Sequence, residues 1–236
     1  MGHIASGNTI AEVGALIGDA ARANILSALM GGQALTAGEL ARHAGVTAQT
    51  TSGHLAKLAD AELIAMEKQG RHRYYRLATP EVAHAIHALM TIAASGPKRH
   101  HPIGPRDEAL RTARTCYDHL AGKLALALAD ALCERGHLTL ADGVGIVSAE
   151  GERFFAGFGI DLTALNGTSK RPLCRTCLDW SERRPHIAGK LGAALLDRLL
   201  ELTWIERVSY NRALRITAAG QRGLAATFAL SPRWFG

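Results

Sequence analysis

The sequence lacks long apolar runs and contains little cysteine. No window in its 236 residues approaches the roughly 18 uninterrupted apolar residues of a membrane-spanning helix, and the N-terminus lacks the basic-then-apolar pattern of a signal peptide. We therefore expect a cytoplasmic protein with no membrane partner. In a reducing compartment its four cysteines favour free thiols, metal binding or redox chemistry over structural disulfides.

Neither charge nor polarity is extreme. Hydrophobic residues make up 47% of the chain and charged residues 20%, which is typical of a globular protein. The length allows one large domain or two modest domains. A formal net charge of +6 is compatible with an anionic partner but does not identify one.

A stretch in the first quarter of the chain carries the local signals of two helices joined by a tight turn. Thr36 and Glu39 have the spacing of a capping box, which predicts the start of one helix. Gly45 suits the positive φ that ends a helix, and Thr47 is a suitable cap for a second helix over 47–59. Together these signals predict a helix-turn-helix.

The second of these helices has a face suited to the major groove. If Thr51, Leu55 and Leu58 point inward, the opposite face carries small, amide and basic side chains. Glutamine can pair with adenine edges, small residues permit close approach, and lysine can contact phosphate. The predicted DNA contacts on this helix are Thr47, Gln49, Thr50, Ser52, Gly53, His54 and Lys57.

The next segment predicts a β-hairpin with Gln69-Gly70 at its tip. Residues 68–76 include four cationic side chains and no acidic one. A solvated basic strand is the simplest interpretation of such a run. Its position directly after a recognition-type helix favours contact with phosphates instead. The predicted contacts in this basic wing are Lys68, Arg71, His72 and Arg73.

These segments resemble the ArsR/SmtB family of bacterial and archaeal regulators. The resemblance rests on Asp19-Ala20-Ala21-Arg22, Ser52-x-His54-Leu55-x-x-Leu58, Ala61-Glu62-Leu63-Ile64 and Gly70-Arg71-His72-Arg73-Tyr74-Tyr75-Arg76-Leu77. It covers residues 10–94, less than half of the chain. It implies a dimeric winged-helix repressor whose first and last helices form the dimer interface. The family's cysteine-bearing metal motif is missing, since residues 39–43 contain no thiol.

A proline- and glycine-rich segment at 95–105 predicts a linker. It would separate an N-terminal DNA-binding and dimerisation domain, 1–94, from a C-terminal effector domain, 106–236. The second domain contains an internal repeat, because 119–132 aligns with 186–199 at nine identities in fourteen positions.

Each repeat predicts a long helix, a β-hairpin and a shorter helix that is capped by Ser148 or Thr217. In the second repeat we expect strands near 204–208 and 213–216, with a turn between them. Such halves resemble degenerate winged helices, although the first lacks a basic wing. The predicted fold class is therefore mainly α with small β-hairpins (α+β): a winged helix-turn-helix followed by two helix-hairpin-helix repeats.

The cysteines suggest a metal site in the second domain. Cys116-x-x-His119 precedes the first repeat and Cys174-x-x-Cys177 precedes the second, which predicts a Cys₃His site for zinc or another soft metal. Against this, we expect residues 116 and 119 on a helix, whereas paired ligands usually lie on a turn. Two alternatives stay open: thiols that respond to an oxidant, or thiols that only pack, with His119 and His186 as buried polar groups.

No catalytic residue is assigned. A thiol enzyme could be drawn from Cys116 with His119, or from Cys177 with Asp179, but no oxyanion loop or phosphate cradle accompanies them. The prediction is a homodimeric repressor that binds double-stranded DNA at an inverted repeat. A metal ion, an oxidant or a small organic effector would release it by acting on the C-terminal domain.

Overall fold

The computed structural model describes residues 6–95, 105–167, 171–208 and 211–231. The contacts divide the chain into two compact units, Met1–Leu89 and Met90–Gly236. Most of the predicted linker, and part of the turn predicted between the last two strands, lie outside the described residues. The predicted domain boundaries therefore stay predictions. Within the described part of the chain, no helix is long and apolar enough to cross a membrane.

The N-terminal unit follows its local sequence signals. Thr36 and Glu39 form the predicted capping box, Gly45 ends a helix with φ 69°, and Thr47 caps the next helix by accepting from the Thr50 amide. The elements of this part of the chain are α1 (Gly7–Ile17), α2 (Ala20–Leu29), β1 (Leu35–Thr36), α3 (Ala37–Ala44), α4 (Ala48–Asp60), β2 (Ile64–Gln69), β3 (His72–Leu77) and α5 (Pro80–Ser95).

The hairpin of strands β2 and β3 is the wing. The three strands form an antiparallel sheet in the order β1-β3-β2, and Gln69 pairs with His72 at the tip. Gly70 has φ 60° there, a conformation that costs glycine little. The core beneath the sheet includes the fully buried Ile25 and Leu40. Ser6 caps helix α1 by accepting from the Thr9 amide.

The two halves of the C-terminal unit share one order of elements: helix, hairpin, helix, hairpin, helix. The first half consists of α6 (Pro105–Thr112), β4 (Arg114–Cys116), β5 (His119–Ala121), α7 (Lys123–Glu134), β6 (Leu138–Ala141), β7 (Val144–Val147) and α8 (Ala149–Gly157). The second half consists of α9 (Leu162–Leu165), β8 (Arg175–Leu178), β9 (Pro185–Ala188), α10 (Gly189–Glu201), β10 (Ile205–Arg207), β11 (Leu214–Ile216) and α11 (Ala218–Phe228).

The prediction of a helix beginning at His119 is wrong. His119 lies on strand β5, and helix α7 begins only at Lys123. The chain turns at Gly122, which has φ 89°, and a side chain there would meet the Arg111 carbonyl oxygen at 2.6 Å. The equivalent Gly189 has φ 82° at the start of α10. That the two halves are degenerate winged helices stays a prediction.

The halves are interleaved through their first hairpins. Strands β8 and β9 extend the sheet of the first half, in the order β6-β7-β8-β9. Reciprocally, Arg114 on β4 bridges Ala213 in the second half, and the Thr115 amide donates to the Arg212 carbonyl at 2.9 Å. Each first hairpin therefore packs beside the opposite half, which places the β4–β5 and β8–β9 hairpins next to each other in the interior.

Candidate DNA interface and candidate metal centre

Helix α4 buries its predicted inward stripe and exposes the opposite face. Thr51, Leu55 and Leu58 are at most 2% exposed, so this prediction is confirmed. The exposed residues among the predicted contacts are Thr47, Gln49, Thr50, Ser52, Gly53 and Lys57. We call the surface formed by these six residues the outer face of α4. Its small residues and its one long cation leave room for another surface to approach closely.

His54 is the exception among the predicted contacts on α4. Its side chain is 16% exposed and lies against the beginning of α2, with its Nδ1 3.4 Å from Arg22 Nη1 and 3.8 Å from Asp19 Oδ1. The position of His54 one residue before the buried Leu55 turns it toward the helix packing. The structure therefore places His54 between α2 and α4 rather than on the outer face.

The wing and helix α3 form a groove beside the outer face of α4. The predicted wing residues Lys68, Arg71, His72 and Arg73 are all exposed. The groove has a volume of about 550 Å³, and its lining includes Arg71, His72, Arg73, Ser52 and Arg42. The sequence analysis missed Arg42, although its place in the last turn of the first helix of the motif was a usable signal. The groove is cationic and suits a phosphate backbone.

Four potential ligands meet inside the C-terminal unit. Cys116 faces His119 across the β4–β5 hairpin, and Cys177 faces His186 across the β8–β9 hairpin. One ligand atom from each residue lies within 4.8 Å of the other three. Cys116, His119 and His186 are 3%, 2% and 0% exposed, while Cys177 is half-buried as a residue. We call these four residues the Cys/His cluster.

The prediction of Cys174 as a fourth ligand is wrong, and His186 takes its place. Cys174 directly precedes strand β8 and Cys177 lies on it, so the two side chains point in different directions. Cys174 instead packs in the hydrophobic core, where burial raises the pKa of its thiol to about 12. The repeat alignment already pairs His186 with His119, and this signal could have identified the missing ligand.

The expected helical placement of Cys116 and His119 is also wrong. The two residues flank a tight hairpin turn in which Tyr117 has φ 60°. The turn brings both side chains to the same side of a short two-stranded ribbon. The main sequence-based argument against a metal site therefore no longer applies.

The thiols and imidazoles of the cluster perturb one another. A hydrogen bond with Cys177, aided by His119, holds the pKa of Cys116 well below its usual range. The same contact with Cys116, together with burial, raises the pKa of Cys177. Burial lowers the pKa of His186, whereas at His119 the charges of Cys116 and Asp118 outweigh burial and raise the pKa. The pair of sulfurs therefore favours one negative charge in the absence of a cation.

Two arginine–carboxylate pairs support the cluster from opposite halves. Arg114 Nη2 donates to Asp179 Oδ2 at 2.8 Å, and both side chains are buried. The Gly122 amide donates to the same oxygen at 2.7 Å. In the reciprocal pair, Arg171 donates to Asp118, which lies 3.2 Å from His119 Nδ1. Each pair therefore joins an arginine of one half to an aspartate in the turn of the other half's first hairpin.

Comparisons with known proteins agree with the fold of the N-terminal unit. Residues 17–67 match the HTH_20 family model, described as a helix-turn-helix domain. YdfF of Bacillus subtilis, named as an uncharacterized HTH-type transcriptional regulator, is 45% identical over 212 residues, which cover 90% of this chain and 93% of YdfF. The transcriptional repressor SdpR of Bacillus subtilis is 34% identical over 80 residues, or 34% of this chain and 88% of SdpR.

One similar solved structure is a homodimeric winged helix-turn-helix DNA-binding domain from Mycobacterium bovis. It is described as a possible ArsR-family transcriptional regulator. It matches with a TM-score of 0.36 and 24% identity, over 43% of this chain and 97% of that domain. The match to YdfF spans nearly the whole of both chains, so it includes the C-terminal unit. The helix-turn-helix, the wing and the match to YdfF show that the chain belongs to the ArsR/SmtB family of winged-helix transcriptional regulators, which bind DNA.

Proposed function

We propose that the protein is a cytoplasmic homodimeric repressor that binds an inverted-repeat operator and is released by an effector acting on its C-terminal unit. The DNA-binding part of this proposal rests on the exposed outer face of α4, which lies beside the cationic groove of the wing. A helix that carries such a face enters the major groove while a basic wing contacts the flanking backbone. SdpR, a relative of the N-terminal unit, is named a repressor, and this supports repression as the outcome.

The proposed roles follow from side-chain chemistry. Gln49 is exposed near the beginning of α4 and can make paired hydrogen bonds with an adenine edge. Gly53 lies one turn further and permits close approach of the helix to the bases, since nothing lies within 4 Å of a side chain built there. Lys57, Arg71 and Arg73 carry positive charges that would neutralise phosphates.

Exposed apolar side chains on the first and last helices of the unit support a dimer. On α1, Ile10 is 65% exposed and Val13 is 39% exposed, and α1 contains no buried residue. On α5, Leu89 is 43% exposed and Ile92 is 68% exposed. A second copy would cover these side chains, and two reading helices related by a twofold axis require two half-sites about one DNA turn apart.

The effector acts on the C-terminal unit, where the described residues offer two candidate sites. The Cys/His cluster is one. The other is a cavity of about 390 Å³ lined mostly by apolar atoms, with Ala109, Val208 and Ile216 on its wall. A cavity of this volume suits a small organic molecule. Loss of effector response in a variant of one site and not of the other would decide between them.

Operator binding by a Gln49→Ala variant tests the DNA-binding part. The change should weaken binding to the selected inverted repeat by about 1–3 kcal/mol and relax base preference at one position in each half-site. Asn166→Ala, which removes an exposed amide side chain from the C-terminal unit, is the matched control and should leave binding unchanged. Equal weakening on operator and on random DNA would show that Gln49 does not read a base.

A further inference from the structure

We propose that Cys116, His119, Cys177 and His186 form a closed tetrahedral site for one zinc-class divalent cation per chain. The proposal rests on the architecture of the C-terminal unit and does not depend on how the N-terminal unit reads DNA. Neither half of the repeat can form the site alone, because each supplies one thiol and one imidazole.

The distances between the four ligand atoms bracket those of a tetrahedral site. Zinc binds sulfur at about 2.3 Å and imidazole nitrogen at about 2.0–2.1 Å, so tetrahedral ligand atoms lie about 3.3–3.8 Å apart. In the cluster the Nε2 atoms of His119 and His186 are 3.1 Å apart, and all four ligand atoms lie within 4.8 Å of one another. Side-chain adjustments that change these separations by up to about 1 Å would give tetrahedral spacing around a cation.

The donor set selects the type of ion. Two thiolates and two neutral imidazoles are soft or intermediate ligands, and their tetrahedral arrangement favours zinc over magnesium or calcium. Their two negative charges neutralise a divalent cation in a buried site, which removes the cost of burying net charge. Four protein ligands leave no position for water, so the site is of the closed type that does not perform catalysis.

The imidazoles are already oriented for Nε2 ligation. Asp118 lies against His119 Nδ1, the position that a second-shell carboxylate takes behind a metal-bound histidine. His186 Nδ1 lies 4.0 Å from Asp179 Oδ2, and no described residue gives it a hydrogen bond. The repeat thus places an aspartate behind each histidine, while both Nε2 atoms face the centre of the cluster.

The backbone fixes the two hairpins at close range. Gly192 of α10 packs against both hairpins. A side chain at this position would lie 3.2 Å from the His119 Cβ on β5 and 2.6 Å from the Ile187 carbonyl oxygen on β9. The Gly122 amide and Arg114 both hold Asp179, two residues beyond Cys177. These contacts hold the strands that carry the ligands, so the site is preorganised rather than assembled from mobile loops.

Two simpler interpretations account for less of the geometry. Packing with a hydrogen bond between the two Nε2 atoms accounts for their 3.1 Å separation, but it gives no reason for two thiols to converge on the same point. A Cys116–Cys177 disulfide would use only the two sulfurs and would leave both histidines without a role. A cation uses all four side chains at once, and it binds Nε2 of both imidazoles.

The first test is metal content of the full chain. The protein is stripped with a chelator under reducing conditions, dialysed against zinc and analysed by native mass spectrometry and elemental analysis. We expect one zinc ion per chain that survives gel filtration. A folded, reduced protein that retains no zinc would overturn the proposal, as would a Cys116–Cys177 disulfide formed in air that zinc does not prevent.

Variants then assign the ligands. Cys116→Ser, Cys177→Ser and His186→Gln should each weaken zinc retention at least 100-fold, whereas Cys133→Ser and Cys174→Ala should retain one ion per chain. The two controls remove thiols that lie outside the cluster. Unchanged zinc retention in His186→Gln, or its loss in Cys174→Ala alone, would refute this ligand set.

Cobalt substitution provides a readout on the wild-type chain that does not depend on the stability of a variant. Co²⁺ in the site should show intense visible ligand-field bands of tetrahedral coordination and a thiolate-to-cobalt charge-transfer band. Zinc should displace it at one equivalent. The weak spectrum of six-coordinate cobalt, without the charge-transfer band, would contradict the proposal.

Discussion

The outer face of α4 and the Cys/His cluster are built in opposite ways. The first is exposed, adjoins a cationic groove, and comes with its wing from fewer than thirty consecutive residues, 47–73. The second is largely buried and combines residues of two hairpins that are about sixty positions apart in sequence. The outer face of α4 depends on local helix signals, whereas the Cys/His cluster depends on the packing of the two halves.

This difference determines how each site should respond to change. An exposed contact on the N-terminal unit can be removed with little effect on folding, so its loss should appear mainly in DNA affinity. The supports of the Cys/His cluster are buried ion pairs, and removal of one partner leaves an uncompensated charge. Changes there should appear first in the stability of the C-terminal unit.

The largest expected effect is on stability. Asp179→Ala leaves the buried Arg114 without its carboxylate and should lower the free energy of unfolding of the C-terminal unit by about 3–5 kcal/mol. Asp130→Ala removes the partner of an exposed pair with Arg184 and should cost at most about 1 kcal/mol. Urea unfolding of the metal-free proteins compares the two. Equal effects would mean that the buried pair does not support this unit.

The next effect concerns coupling between metal binding and DNA binding. If the ion is the effector, zinc should weaken operator binding of the wild type roughly 5–150-fold, the usual range of allosteric coupling. Cys177→Ser should bind the operator normally but lose this response, as measured by fluorescence anisotropy.

Cys133→Ser is the control for that measurement and should respond like the wild type. An operator affinity that zinc leaves unchanged in the wild type would exclude the ion as the effector. The cavity near Ala109 would then be the better candidate site for an effector.

A smaller effect is expected from the wing. Arg71→Ala and Arg73→Ala should each weaken binding to operator and to random DNA alike. Each lost phosphate contact should reduce the slope of log affinity against log salt by about 0.9. The measurement is a salt titration of both DNAs, with Arg222→Ala in the C-terminal unit as the control. An unchanged slope in both wing variants would remove the wing from the interface.

The smallest effect concerns the capping box of α3. Glu39 accepts from the Thr36 amide at 2.7 Å, and this bond lowers the pKa of the carboxyl group. Glu39→Ala should therefore destabilise the N-terminal unit by about 1 kcal/mol at pH 7. Because the pKa of Glu39 in the folded protein lies below the unfolded value near 4.5, its ionised form stabilises the folded state at pH values above 4.5. The contribution of the charge should be lost as the pH falls through the folded pKa.

The pH dependence of unfolding gives the check on the capping box. The stability difference between the wild type and Glu39→Ala should shrink between about pH 5 and pH 3. A difference that stays constant over this range would show that the charge of Glu39 does not stabilise the helix.

Much of the N-terminal unit could be predicted because its determinants are local. Thr36, Gly45 and Thr47 each fix a helix end through bonds within three or four residues. The burial of Leu55 and Leu58 follows from helical spacing. The packing of His54 against α2 does not follow from local spacing, because its partner Arg22 is 32 positions away.

The C-terminal unit was less predictable because its ligands meet through tertiary structure. The alanine- and leucine-rich run after His119 has helical periodicity, which concealed the short β5 strand and the turn at Gly122. Cys174 has the spacing of a ligand, but it directly precedes strand β8 and packs in the core. The repeat itself held the information about His186, since a duplicated hairpin duplicates its histidine.

The X-ray absorption spectrum of the zinc-loaded full-length protein tests the central claim most directly. It reports the identity and distance of the ligand atoms without relying on a variant. Two sulfurs at about 2.3 Å and two imidazole nitrogens at about 2.0–2.1 Å are expected for Cys116, His119, Cys177 and His186. A shell of three sulfurs, or of nitrogen and oxygen alone, would contradict the account.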